Sequence, residues 1–568
     1  MVKFIPFIKL QPIINIDHEG RKEKMLNNVG KTLAGLALCV ISSAALAQDI
    51  SNDKVDVIIE NGFVFDGTGA PWTKTDVAVK GDRIKAIGNL KDMSAERRID
   101  ATGLYVSPGF IDPHTHAGDG LVKAELGGAE PLLAQGLTTV VVNPDGGGGS
   151  AGTDTVNIAD QRQKLLSHGV GVNVAQLVPH GMVRRLVMGD VDEHASEEQL
   201  DKMRELVRKG MQDGAFGLSS GLFYVPGSFA DISEIVELGK VVGEFGGLYT
   251  SHIRDESDYS IGLIPSVDEV IKVAREAKIP GVVTHVKALG PRVWGFSEAV
   301  TQRIEQARAD GVEMWADQYP YEASKTGLSS ALIPRWAMAG GTSKMLENLK
   351  DTAALDKMRP EIETNLERRG GAERIQLANF SPDTSLEGKL LSEISESRGK
   401  SPVDTTIELL IEAKGQIGIV SFNMLTSDVV SFMNKPWRMT SSDGDLVPMG
   451  EGVPHPRVYG TFPRMIAKYS RDDNLVPLAT AIHSMTGLPA TVHRMKDRGF
   501  LMTNMYADIT IFDLKEVKDM ATFTEPHQLA KGMKYVFVNG KLAVDEANYK
   551  DIRKGRVLNR NGEDFVRE

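Results

Sequence analysis

Two histidines one residue apart, His114-Thr115-His116, close the apolar run Gly109-Phe110-Ile111-Asp112-Pro113. In an extended chain residues i and i+2 point the same way, so both imidazoles can meet one metal ion. His252 ends the run LYTSH and His285 ends GVVTH, which puts four imidazoles at three strand-like ends. That exceeds the usual need of one hydrolytic zinc, so one or two ions fit. A lone strand-end histidine is more often a packing residue; the joint arrangement carries the metal reading. Asp145 closes LTTVVVNPD and can bind or bridge a metal. Asp443, in Thr440-Ser441-Ser442-Asp443-Gly444, can both ligate a metal and carry a proton between water and a leaving nitrogen. Both also fit ordinary loop capping, since Asp-Gly is a common turn. A metal that acidifies water and polarises a carbonyl, beside a carboxylate that handles the proton, is the equipment of metal-assisted amide hydrolysis.

Arg254, Lys287 and Arg457 each lie two residues past a histidine, in HIR, HVK and HPR. They can read a substrate carboxylate or pair with local acids such as Asp255 and Glu256. Tyr224 and Pro226, after the segment GLSSG, wall a pocket or pack a loop, and Asp317 and Tyr319 carry the same ambiguity. Other chemistries lack their residues. There is no Gly-x-Ser-x-Gly nucleophile elbow, and the run Gly146 to Gly149 has no following Lys-Ser/Thr for a phosphate loop. It reads as a flexible lip beside Asp145.

What must position these residues is an alternation of β-rich and helical stretches. The runs 104–116, 137–145, 171–180, 214–220, 248–256, 281–290, 311–321 and 417–425 read as strands, with helical patterns such as 197–214 and 266–277 between most of them. About eight such units predict an α/β fold, a TIM-like (β/α)8 barrel, with polar residues clustered just after the strands where barrel sites form. Short strands with turn signals at 54–68, 76–88, 508–514 and 534–544 predict one small β domain, a sandwich, built from both chain ends. The predicted organisation is therefore an N-terminal extension over 1–47, the β domain over 48–106 and 485–568, and the barrel over 107–484. A mostly helical insertion over about 338–410 covers the site.

The chain of 568 residues has a net charge of −11 and, past its first thirty or so residues, no basic block, which argues against a nucleic-acid surface. Residues 25–47 pattern as a signal peptide: Lys31, an apolar stretch, then Ala45-Leu46-Ala47 before Gln48, with Met25 as the expected start. The apolar run is too short for a convincing membrane span, and a periplasmic location follows. Removing 1–47 takes away six Lys/Arg and three Asp/Glu, leaving a net charge of −14. It also removes the single cysteine, Cys39, so the mature chain holds no disulfide, thiol nucleophile or cysteine ligand.

The stretches GFIDPHTH, GLSSGLFYVPGSFA, YTSHIRDES, THVKALGPRVWG, DQYPYEAS, SSDG and HPRVYGTFPR, in this order, make the chain resemble the D-aminoacylase branch of the amidohydrolase superfamily over essentially its whole mature length. The resemblance implies a barrel with a small β-sandwich, zinc at the barrel mouth, and hydrolysis of an N-acyl-D-amino acid to a carboxylate and a free D-amino acid. It places His114, His116, His252 and His285 on the family's metal histidines and Asp443 on its catalytic aspartate. Tyr224, Lys287 and Arg457 fall where the substrate carboxylate is held. Well-known members carry a zinc-ligating cysteine after the strand TTVVV, where this chain has Asn143-Pro144-Asp145-Gly146. Asp145 aligns with that cysteine, and a carboxylate there makes a more oxygen-rich site that takes Zn2+, Mn2+ or Co2+. The same machinery serves D-residue-containing dipeptides or cyclic amides, although Lys287 and Arg457 favour a small substrate with a free carboxylate. N-terminal sequencing of the protein from the periplasmic fraction is expected to begin at Gln48; an unprocessed chain in the cytosol would remove the export reading.

Overall fold

The computed structural model describes residues 54–147 and 158–567. The signal-peptide segment, and Gly148 and Gly149 of the glycine run, lie outside them. Residues 54–55 with 91–96 group as one small unit, and 56–90 with 97–567 as the other. The second unit holds the barrel.

Eight parallel strands make the barrel: β1 Phe110–Asp112, β2 Leu137–Val142, β3 Asn173–Gln176, β4 Gly217–Gly221, β5 Leu248–His252, β6 Gly281–Val283, β7 Met314–Gln318 and β8 Arg438–Thr440. β1, β2 and β3 pair in order, and β4 to β8 pair in order, with Val178–Pro179 beside β4. Ring closure between β8 and β1 falls to the turns beyond them. Asp443 N donates to His114 O at 2.9 Å, and His116 N donates to Gly444 O at 2.8 Å. The strands are short and buried, as in LTTVVV of β2, where every residue is inside. Such β-branched, two-sided apolar runs suit a parallel sheet covered on both faces.

The covering helices carry clear local signals. Helix Glu197–Gln212 starts with a capping box in which Ser196 accepts from Gln199 N at 3.3 Å while the Gln199 side chain takes Ser196 N at 2.8 Å. Its apolar face, Met203, Val207 and Met211, is buried against the barrel core, each such side chain contributing about 1.5–3 kcal/mol. Leu488 and Val492 of helix Gly487–Val492 pack with Leu248, Val282 and Met439 beneath the strands, so this helix joins the barrel core.

Two details differ from the sequence expectation. The run 417–425 is not the eighth barrel strand; Arg438–Thr440 takes that place, and Gly418–Ser421 pairs antiparallel with Ser324–Gly327 and Ile375–Asn379. Hydrophobic composition alone fits either site, and the pairing partners decide. The excursion between β7 and β8 therefore contains a three-stranded sheet along with helices such as Thr352–Arg368 and Pro402–Glu412.

Strands from both chain ends join one nine-stranded sheet, in which Tyr105–Pro108 lies between Val55–Val64 and Ile509–Phe512. A buried polar network fastens this sheet to the barrel floor. Arg498 bonds Asp508, Asn539 Oδ1 at 2.9 Å and Asp564 Oδ2 at 2.9 Å, while Asn173 of β3 donates to Asp508 Oδ2 at 3.1 Å. Among the described residues no helix is long and apolar enough to cross a membrane. Replacing Arg498 leaves Asp508 buried without its cation, so Arg498→Met is expected to lower unfolding stability by about 3–5 kcal/mol. Urea denaturation reads this, and a loss under about 1 kcal/mol would show that the network contributes little.

Candidate active site

The C-terminal ends of the barrel strands bring the histidines together. His114 and His116 follow β1, His252 ends β5 and His285 follows β6. Asp145 follows β2 and Asp443 follows β8. Three of these, Asp145, His285 and Asp443, have φ of 54°, 36° and 50°. Non-glycine residues rarely adopt such left-handed backbone, and it concentrates at functional sites where surrounding structure over-determines it. Beside Asp145 the packing demands glycine: a Cβ on Gly146 would lie 2.9 Å from Gly181 N and 3.0 Å from Gly221 N. The loops after β2 and β4 and the segment after Val178–Pro179 thus touch backbone to backbone and fix the Asp145 carboxylate.

That carboxylate lies at the centre. Asp145 Oδ1 is 3.5 Å from His114 Nε2, and Oδ2 is 3.4 Å from His116 Nε2 and 3.5 Å from His285 Nε2. Asp443 Oδ1 is 3.6 Å from His114 Nε2 and 3.3 Å from His116 Nε2. Ligand atoms around one tetrahedral ion lie roughly 3.3–3.6 Å apart, given bonds of about 2.0–2.2 Å. His114 Nε2 and Asp145 Oδ1 are moreover buried with no hydrogen-bond partner. Two unsatisfied polar atoms facing each other in a closed site fit a metal ion that takes both. A second group, His252, Glu256 and His285, also has its ligand atoms within 4.8 Å of one another. Together the two groups form a binuclear metal site of nitrogen and oxygen donors suited to Zn2+.

Neighbouring groups orient the donors. His252 Nδ1 lies 3.1 Å from Ile253 O, a bond that puts the proton on Nδ1 and leaves Nε2 free to bind. Asp317 accepts from His285 N at 2.9 Å and from Ser441 Oγ at 2.6 Å, and its other oxygen lies 3.9 Å from His114 Nδ1. Asp112 accepts from His114 N at 3.2 Å and Ser442 N at 3.0 Å, and burial raises its carboxyl to about 7.

The charges of these side chains are strongly biased by one another. Burial favours a neutral Asp145, but His114 and His285 overturn that and hold its carboxyl well below the usual range. Burial likewise opposes ionisation of Asp443, yet Arg457, whose Nη1 donates to Asp443 Oδ2 at 2.7 Å, keeps it anionic. His116 is lowered by burial and raised more by Asp145 and Asp443, ending at about 9. His252 is driven by burial to about 4.

A cavity of about 1400 Å³ opens over this floor, with Tyr224, Lys287, Tyr319 and Arg457 among its walls. Tyr224 packs edge-on against His252 and bonds Thr326 Oγ1 at 3.1 Å. Lys287 Nζ donates to Glu256 Oε1 at 2.5 Å and lies 2.7 Å from His285 Nδ1. Arg254, expected at the substrate, is elsewhere. Its three nitrogens are engaged by Glu269 at 2.9–3.0 Å and by the carbonyls of Ser228 and Ala230, and it does not line the cavity. Its spacing from His252 misleads because the strand ends at His252 and the chain bends at Arg254, so the shared face of residues i and i+2 is lost there. Sequence reasoning missed Glu256, read there only as an ion-pair partner. Its signal was the spacing to His252 in HIRDE. Tyr319 was left ambiguous; its buried hydroxyl has no partner, and its ring lies under Arg457 and Lys287.

A buried donor set of this kind at the strand ends of a closed parallel barrel defines a metal-dependent barrel hydrolase. The sequence matches the amidohydrolase family over residues 97–338 and 347–544. It is 33% identical over 524 residues to the D-aminoacylase of Alcaligenes xylosoxydans xylosoxydans, covering 89% of this chain and 98% of that one. It is 34% identical over 525 residues to the N-acyl-D-glutamate deacylase of the same organism, covering 90% and 97%. A solved D-aminoacylase with a binuclear metal centre superposes with a TM-score of 0.76 at 33% identity, over 89% of this chain and 100% of that chain. The N-acyl-D-glutamate deacylase of Bordetella bronchiseptica, solved with zinc and a phosphonate mimic of the tetrahedral intermediate, gives 0.75 at 31% identity and the same coverage. The chain belongs to the amidohydrolase family, in its D-aminoacylase branch.

Because Asp145 stands between both ligand groups, Asp145→Ala is expected to lower metal content by at least one ion per chain and kcat/KM by at least about 100-fold. Elemental analysis beside the kinetics checks this, and unchanged metal stoichiometry would remove Asp145 from the ligand set.

Proposed function

We propose that this protein hydrolyses the amide bond of N-acyl-D-amino acids, releasing a carboxylate and a free D-amino acid. The observation that carries the reading is Asp443: one carboxylate oxygen faces His114 and His116 while the other is held by Arg457 at 2.7 Å. His114, His116, Asp145 and Asp443 would hold one ion, and His252, His285 and Glu256, with Asp145 between the groups, a second. A divalent ion bound there polarises the scissile carbonyl and makes water more acidic.

Everything else belongs to the chain's own residues. Asp443 takes the proton of the attacking water and delivers it to the leaving nitrogen, which departs poorly as an anion. Arg457 keeps Asp443 ionised until the water arrives and has donors to spare, since a guanidinium carries five N–H groups. Those donors, with Lys287 and the Tyr224 and Tyr319 hydroxyls, take the substrate's α-carboxylate. Fixing it sets the amide over the metal floor, and this orientation supplies much of the rate. The dipeptidase reading shares every one of these steps and differs only in the acyl group. The N-terminal pattern supports the periplasm as the place of action.

Purified mature protein loaded with zinc is assayed on N-acetyl-D- and N-acetyl-L-amino acids, D-containing dipeptides and a cyclic amide. Turnover confined to acyl-D substrates is expected; cleavage of dipeptides or cyclic amides alone would keep the chemistry and overturn the substrate. Asp443→Asn is expected to lower kcat by about 10²–10⁴-fold with the melting temperature retained. Substantial residual turnover would assign the proton transfer to another group.

A further inference from the structure

The cations of the cavity wall fall into two kinds. Lys287, Arg457, Lys325 and Arg185 each face a carboxylate: Glu256, Asp443, Asp445 and Asp190 in turn. Lys123 is exposed at the rim. Arg369 is different. It lines the cavity although it is only 1% exposed, and among the described residues it has no carboxylate partner. Its Nε donates to Tyr259 Oη at 3.0 Å and its Nη1 to Ser421 Oγ at 3.3 Å, both neutral acceptors.

Arg335 repeats the pattern nearby. Its Nη1 donates to Ser330 O at 2.9 Å, and its Nη2 is buried with no partner at all. The guanidinium lies 4.0 Å from the centre of the Phe223 ring, and that ring stacks on His252 with centroids 5.4 Å apart. Phe223 also meets Tyr259, the residue that Arg369 bonds, at 5.4 Å. The two arginines thus flank one aromatic wall that begins at a metal histidine. Burial, and to a smaller extent the Arg369 charge, lowers the Arg335 guanidinium to about 10, so it stays cationic near neutral pH. Asp255 is the carboxylate whose field reaches Arg335, but it forms no ion pair with it; its oxygens accept from the amides of Ser257, Ser260 and Gly262.

The chain goes to some length to place Arg369 there. Gly290, three residues past Lys287, has φ of +89°, and a Cβ on it would lie 1.8 Å from Arg368 O. The loop that carries Lys287 therefore runs backbone against backbone along Arg368 and Arg369. Guanidinium groups taken out of water without a directly paired carboxylate are costly, and two like charges beside each other more so. An anion arriving from the cavity relieves both.

Resting on the deacylase reading, we infer that Arg369, with Arg335 behind it, binds the side-chain carboxylate of the substrate, and that the preferred substrates are N-acyl-D-amino acids with an acidic side chain. With the α-carboxylate on Lys287 and Arg457, the side chain runs from Cα along the Phe223–Tyr224 wall toward these arginines. Arg369 offers a planar fork for a second carboxylate. It touches the substrate's specificity group and takes no part in the bond cleavage.

The test compares N-acetyl-D-glutamate with N-acetyl-D-glutamine, its neutral isostere, and with N-acetyl-D-leucine, on the zinc-loaded full-length mature protein. The wild-type protein is expected to favour the glutamate over the glutamine by at least about tenfold in kcat/KM, because a site built for an ion rejects its uncharged analogue. Arg369→Met is expected to bring that ratio close to one, mainly through KM for the glutamate, and Arg335→Met to lower it by a smaller factor. A fastening role alone would lower all three substrates in proportion and leave the ratio unchanged, which would overturn the inference. So would a wild-type protein that cleaves the leucine or glutamine substrate as well as the glutamate, whatever the fate of the variants. Failure on every acyl-D substrate would instead strike the deacylase reading itself.

Discussion

Buried negative charge is the constraint on which the rest of this structure depends. Asp145, Asp443 and Glu256 converge at the barrel mouth with almost no access to solvent. Carboxylates in that setting either take up protons or gather cations. Here they gather cations: Arg457 on Asp443, Lys287 on Glu256, and a ring of imidazoles around Asp145. Against the effect of burial, Asp145 and Asp443 raise the basicity of His116, so protons on imidazole can answer this negative charge. A divalent ion does the same task with the imidazoles neutral, so ion and protons compete for one set of atoms.

The barrel makes this crowding tolerable by sharing it out. No strand contributes more than two of the donors, and several donors are steadied by a group from a neighbouring strand. Asp317 at the end of β7 holds His285 beyond β6 and Ser441 beyond β8; Asp112 of β1 reaches Ser442. These cross-ties also close the ring where β8 and β1 lack a regular ladder. The left-handed backbone at His285 and Asp443 lies on these ties, while that at Asp145 is flanked by Ser219, whose Oγ accepts from Gly146 N and donates to Asn143 O. Fold closure and site assembly are one set of hydrogen bonds.

Much of this was legible in the sequence, and what was not has physical reasons. The run LTTVVV and the histidines after apolar stretches revealed strands and strand ends because side-chain alternation and burial are local properties. The eighth strand was missed because Arg438–Thr440 is three residues long and begins with a charge, while IGIVSF nearby looks more like a strand and pairs inside the insertion. Arg254 departs from expectation because the strand ends at His252 and the chain bends at Arg254, so the two residues no longer share a face. Glu256 and Arg369 could not be ranked from their surroundings in the chain. Their importance comes from partners, or the want of them, more than twenty residues away.

The carboxylate at position 145 has one more consequence. The chain contains a single cysteine, Cys39, so no donor at the barrel mouth is sulfur. A thiolate ligand can climb from sulfenic to sulfonic acid and lose its metal on the way. Oxygen and imidazole donors have no such ladder. Disulfides and thiol-capturing reagents find no ligand atom to attack, and soft ions such as Cu(I) lose the sulfur they prefer. The centre lacks the thiolate oxidation route that a cysteine-bridged one carries.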